Sequence, residues 1–179
     1  MIDLFLYNVI IDIAFISVPV LWALKKKKSI INALGINKIK PKNIAVYFVA
    51  SFIALIAATF VAGSLIEFLG FNDTELVVNA LEQIITSSPF FLAYLFTVRV
   101  FAEEVFFRAF LVEKTGILVS TVLFTLVHIG YGSIGELIGV FILGFILAFI
   151  YSRTKNIIPL FLAHMLYNLV VLIESGVFI

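Results

Sequence analysis

The sequence contains no cysteine, two histidines, one tryptophan and four prolines in 179 residues, and only 13% of it is charged. Without thiols there can be no disulfide scaffold, thiolate zinc site, iron–sulfur cluster or cysteine nucleophile. Such scarce charge excludes an ordinary soluble domain, which carries about 25%. A net charge of +1 leaves no electrostatic footprint for nucleic acid. What is present is apolar: 63% of the residues are hydrophobic, twenty are phenylalanine, and the mean hydropathy is +1.21. That composition excludes a disordered chain. A globule of this length has too little interior to hide so much apolar surface, so the solvent that meets it is lipid.

A helical bilayer span needs about 20 mostly apolar residues. The runs predict six spans, at 4–24, 44–69, 90–112, 117–129, 134–151 and 157–173. The first is broken only by Asp12; it lacks the basic start of a signal peptide and is too long for one. Residues 71–88 are mixed, with Asp73, Glu75 and Glu82 around an apolar 76–85 stretch, which suits an amphipathic helix lying on the membrane. The run Gly130-Tyr131-Gly132-Ser133-Ile134-Gly135 fits a dinucleotide-binding pattern literally but follows no strand. It reads as a tight turn that lets the fourth and fifth spans pack closely. The fold class is therefore all-α, a polytopic transmembrane bundle forming one domain. Residues 1–89 supply N-terminal spans, a basic loop and a surface segment, and residues 90–175 form the core.

Lysines 25–28, 38, 40 and 42 place seven of the twelve basic residues in one loop. Basic loops face the cytoplasm, which puts the N-terminus and the 71–88 segment outside. The third span then delivers Arg108 and Lys114 to the cytoplasmic side, and the fifth delivers Arg153 and Lys155. The lysines also suit anionic lipid headgroups.

Ionisable groups inside a span cost roughly 2.5–3.5 kcal/mol each at the helix centre. Here they concentrate in three places: Glu103, Glu104 and Arg108; Phe124 and His128; and His164 and Asn168. At about 1.5 Å per residue, the two glutamates, both histidines and Asn168 fall roughly 10–16 Å from the cytoplasmic ends of their spans, in one layer. His164 and Asn168 share a helix face, and Glu104 and Arg108 are spaced for an ion pair. Arg99, four residues before Glu103, could neutralise it, which argues for a structural role. A glutamate with a histidine can deprotonate water, and a histidine with an asparagine can stabilise an oxyanion. The same donors could bind zinc through His128, His164 and Glu103. Phe124, Tyr131 and Tyr167 read as packing or interfacial residues. No His-Glu-x-x-His helix or Gly-x-Ser-x-Gly elbow is present.

The ordered motifs Glu103-Glu104…Arg108, Phe124…His128 and His164…Asn168 resemble those of the CAAX protease and bacteriocin-processing family of intramembrane endopeptidases, which includes the Ras-converting type of CAAX prenyl protease. The resemblance spans about residues 90–175. It implies a helical cone with a cleft open to the cytoplasm and the bilayer, and a peptide or lipidated protein substrate reached from the cytoplasmic side. It implies that Glu103 and His128 activate water, that His164 and Asn168 support the oxyanion, and that Glu104 and Arg108 shape the site. A mechanism without a cofactor is favoured, since base and oxyanion donors can be named without one; zinc is the alternative. Ala109 stands where glycine often follows the arginine, and the region before residue 90 is short for the family. The rival readings are a non-catalytic adaptor or immunity-type protein of the same fold and a small proton-relaying transporter.

Overall fold

In lipid a backbone has no partner but itself, so apolar runs close into helices. The computed structural model describes residues 2–71 and 73–175. Among these the only β-pairing is an isolated bridge between Ile36 and Asn156. Helices α1 (Ile2–Lys25), α2 (Ile30–Ala33), α3 (Pro41–Leu69) and α4 (Thr74–Ser87) come first. Helix α5, residues 89–112, leads directly into α6 (Glu113–Leu126). Helices α7 (Ile134–Thr154) and α8 (Ile158–Glu174) follow. Phe5–Lys25, Pro41–Leu69, Pro89–Tyr131 and Ile134–Thr154 are long and apolar enough to cross a membrane, and Ile158–Glu174 is a shorter apolar helix.

The Pro89–Tyr131 stretch does not run straight. Gly116 takes φ 83° and ψ 174°, which no helix contains and which glycine reaches without a Cβ penalty. The Ser120 hydroxyl donates to the Phe107 carbonyl at 2.6 Å. Residues so spaced on one straight helix would stand about 20 Å apart. The two legs therefore lie side by side as a hairpin, giving six apolar legs among the described residues. The second leg is shorter than its apolar run: the α-helix ends at Leu126, and Ile129–Tyr131 form a separate turn of 3₁₀ helix. His128 sits where the helix gives way.

Helix α1 runs parallel to α5, since contacts advance together along both. Phe5 meets Tyr94 with ring centroids 5.4 Å apart, Phe15 stacks on Phe106 at 4.6 Å, and Trp22 meets Phe110 at 6.0 Å. A core of Leu55, Val105, Leu147, Ala148, Leu160 and Ala163 ties α3, α5, α7 and α8 together.

Both ends of the bundle are pinned by polar contacts. At the basic end, Ile157 N donates to Gly35 O at 2.9 Å. The Asn37 side chain donates to the Lys155 carbonyl, and the Asn156 side chain to the Asn37 carbonyl. A Cβ on Gly35, whose φ is +70°, would lie 2.7 Å from that of Ala109. The alanine that replaces the expected glycine is thus accommodated by a glycine across from it. At the opposite end, Asp73 accepts from Ser133 Oγ at 2.8 Å, Ile134 N at 2.5 Å and Gly135 N at 3.3 Å. A carboxylate thereby meets the positive end of α7. The Ser133 hydroxyl, followed by the two backbone amides, holds Asp73 below the usual carboxylate range.

The glycine run at 130–135 forms the turn between α6 and α7, with Gly132 at φ 72°, and Gly135 faces Asp73 and Ile66. The close approach is at Gly144, where an added Cβ would lie 2.8 Å from the Phe124 ring.

Candidate active site

Helix α5 carries both glutamates, and they have different partners. Glu103 is 5% exposed, and its Oε1 accepts from Arg99 Nε at 2.8 Å. Arg99 also donates through Nη1 to Asp12 Oδ1 at 2.8 Å. The Tyr94 hydroxyl donates to Asp12 Oδ2 at 2.5 Å. Arg99 is therefore shared between two carboxylates, one on α1 and one on α5. Asp12, taken from the sequence only as a break in the first span, is 2% exposed. Its signal was the cost of an acid in an apolar helix, which demands a partner.

Glu104 is fully buried and turns to α8, where its Oε1 lies 2.9 Å from His164 Nδ1. Its Oε2 stands 3.5 Å from Arg108 Nε. Arg108 makes no hydrogen bond to a described side chain or backbone group. Its charge is met by Glu104 and by the face of Phe124, 4.0 Å from ring centroid to guanidinium carbon. From 104 to 112, α5 is wound with wider, i→i+5 turns, a feature that often accompanies functional sites. It alters the simple helical-wheel angles for residues beyond Glu103.

Phe124 packs as expected, in a buried cluster with Phe107, Leu111 and Val140. Its ring touches Phe107 at 5.1 Å, His128 at 4.7 Å and His164 at 6.3 Å. Its carbonyl oxygen lies 2.8 Å from His128 Nδ1. A carbonyl can only accept, so that nitrogen carries the proton and Nε2 keeps its lone pair. Tyr131 stacks against the His128 ring at 6.2 Å. Tyr167, by contrast, bonds Thr59 on α3 at 2.9 Å and braces the bundle.

The two imidazoles and Arg108 thus lie against the Phe124 ring. Glu103 is within electrostatic range of His128, Arg99 and His164, but it bonds directly only to Arg99 among the described side chains. Asn168 lies one turn beyond His164 on α8, half-buried, and its side chain makes no hydrogen bond to a described residue. Among the described residues no three His, Asp or Glu side chains converge to hold a metal ion. The trio His128, His164 and Glu103 therefore does not fit a zinc site as it stands. A cavity of about 510 Å³ opens at the basic end, and its walls include none of these residues.

An all-helical, lipid-facing bundle with buried acids and imidazoles on facing helices defines a polytopic membrane protein with a polar site inside its spans. Residues 85–170 match the family model described as Rce1-like, type II CAAX prenyl endopeptidase. Over this segment, just under half of the chain, the sequence is similar to that family of membrane endopeptidases. The match contains all three motifs and excludes Asp12. No curated protein and no solved structure matches the chain.

Proposed function

We propose that the chain hydrolyses a peptide bond of a lipidated substrate, with Glu103 and His128 acting on one water. The observation that carries this reading is the shared orientation of the two imidazoles. Nδ1 of His128 is occupied by the Phe124 carbonyl and Nδ1 of His164 by Glu104. The Nε2 of each ring is left for water or substrate, in electrostatic range of Glu103.

The chemistry follows from those atoms. Water between Glu103 and His128 loses a proton to the carboxylate as its oxygen bonds the scissile carbonyl carbon. The carbonyl π electrons move onto oxygen, which faces His164 and the Asn168 amide. With Nδ1–H directed at Glu104, a second proton on His164 Nε2 makes that ring an oxyanion donor. Collapse of the intermediate breaks the C–N bond, and the proton held by Glu103 goes to the leaving amine. The basic end of the bundle is assigned to the cytoplasm, supported by the lysines at 25–28, 38, 40 and 42.

The Arg99–Glu103 ion pair favours the rival reading of a non-catalytic adaptor, because a tied glutamate is a poorer base. Cleavage of a fluorogenic prenylated peptide by purified protein separates the two. The enzyme reading expects turnover that falls 10²–10⁴-fold, a typical range for a lost general base, in Glu103→Gln. Wild-type protein that is folded yet inert toward prenylated and unprenylated peptides alike supports the adaptor.

A further inference from the structure

The cavity at the basic end holds an arrangement that the hydrolytic site does not use. Its walls include Trp22, Lys28, Asn32, Phe110, Glu113 and Lys114. Lys114 Nζ lies 3.2 Å from the centroid of the Trp22 ring, and Lys28 Nζ lies 5.0 Å from the same ring. The backbone puts Lys28 there: Lys27 adopts φ 52°, and Lys28 N closes back on Ala23 O at 2.8 Å, as in a helix-terminating left-handed turn.

Two ammonium groups on one indole repel each other. Glu113, the acid in the cavity wall, is already paired with Lys155 at 2.5 Å. Among the described residues neither Lys28 nor Lys114 has an acidic partner within ion-pair distance. The cavity therefore gathers three ammonium groups around one carboxylate, an excess of positive charge that a bound anion would neutralise. Lysines serve phosphate as compact point charges. The volume, about 510 Å³, is in the range of small-molecule sites.

We propose that this cavity binds the phosphate of an anionic membrane phospholipid. The lipid source is argued from position. The cavity opens where α1 ends, and Leu21 and Leu24 beside Trp22 are 62% and 55% exposed, an apolar surface against which acyl chains can lie. Basic pockets between spans are a known way to hold such headgroups. The proposal stands apart from peptide hydrolysis and does not depend on it.

Trp22 is the sole tryptophan, so its fluorescence reports this cavity alone. The protein is titrated in phosphatidylcholine nanodiscs of increasing phosphatidylglycerol content. The expected result is a saturable change in Trp22 emission with phosphatidylglycerol. Lys28→Gln and Lys114→Gln should each weaken it about 5-fold, and the double variant about 30-fold. Joint Lys28→Arg and Lys114→Arg substitution keeps the charge and should keep the binding. A Lys38, Lys40 and Lys42 triple glutamine variant should bind as wild type does. Undiminished binding in both single variants overturns the site. Loss in the triple variant equal to that in the double overturns it in favour of diffuse surface attraction. Saturation by inorganic phosphate alone, without phosphatidylglycerol, overturns the lipid assignment and makes the occupant a soluble phosphate ester.

Discussion

Replacing Gly144 with alanine puts a methyl group where helix α7 meets the residue that organises the site. The added Cβ would lie 2.8 Å from Phe124 Cδ1 and 3.3 Å from Cε1, about 0.7 Å short of ordinary carbon–carbon contact. Phe124 has little room to yield. Arg108 lies 4.0 Å over its ring, and Phe107 abuts it at 5.1 Å. Overpacking of this kind costs about 1–3 kcal/mol, and whichever element moves, Phe124 shifts against His128 and His164. A displacement near 1 Å in a catalytic group can cost about 10²-fold in rate. Gly144→Ala should thus lower the thermal unfolding temperature in detergent and reduce cleavage of a prenylated peptide about 10–100-fold. Joint Gly144→Ala and Phe124→Leu substitution relieves the overlap and should recover much of the stability, while activity stays low because the ring that flanks both imidazoles is gone. Unchanged stability and turnover in Gly144→Ala would refute the claim that this contact is tight. Full activity in the double variant would refute the role given to Phe124.

Other outcomes follow from the same structure. Asp12→Asn removes one of the two carboxylates that share Arg99, leaving the guanidinium charge to Glu103. Turnover should fall roughly 10-fold and stability by about 1.5–3 kcal/mol, the worth of a charged hydrogen bond, read by peptide cleavage and thermal melts. Asp73 has a lower pKa folded than unfolded, so its contribution is complete above the unfolded value near 4 and is lost as pH falls through the folded value. The unfolding temperatures of wild type and Asp73→Asn should differ at neutral pH and converge in acid. Cysteines introduced singly at Lys26 and Glu75 of this cysteine-free chain should label from opposite sides of intact cells, position 75 from outside; outside labelling of position 26 reverses the assigned orientation. Active protein should contain zinc far below one equivalent and keep its turnover after chelation, and activity lost to a chelator and restored by zinc would favour the metal mechanism.

Much of the helical layout was legible because lipid makes the apolar run a direct readout of the span. The candidate site residues Glu103, Glu104, His128 and His164 stood out because each is costly in an apolar helix. Partners across helices were less so. That Glu104 would meet His164 on α8, and not only Arg108, depends on how α5 and α8 pack. Asp12 was visible as an oddity, but its link to Arg99 joins residues 87 apart, beyond any local periodicity. The hairpin turns on the conformation of one residue, Gly116, which composition does not distinguish from Gly139 inside α7. His128 was assigned to a continuous helix, since apolar residues on either side conceal the end of α6 at Leu126.

The central claim is that Glu103 and His128 act on the same water, and a double-mutant cycle in prenylated-peptide turnover tests it. Glu103→Gln and His128→Ala should each reduce kcat 10²–10⁴-fold, the range for general acid–base catalysis. If both serve one water, the joint variant should be no slower than the slower single variant, because groups that act as a unit are strongly non-additive. Losses that multiply, with the joint variant slower by the product of the two, would contradict the shared water.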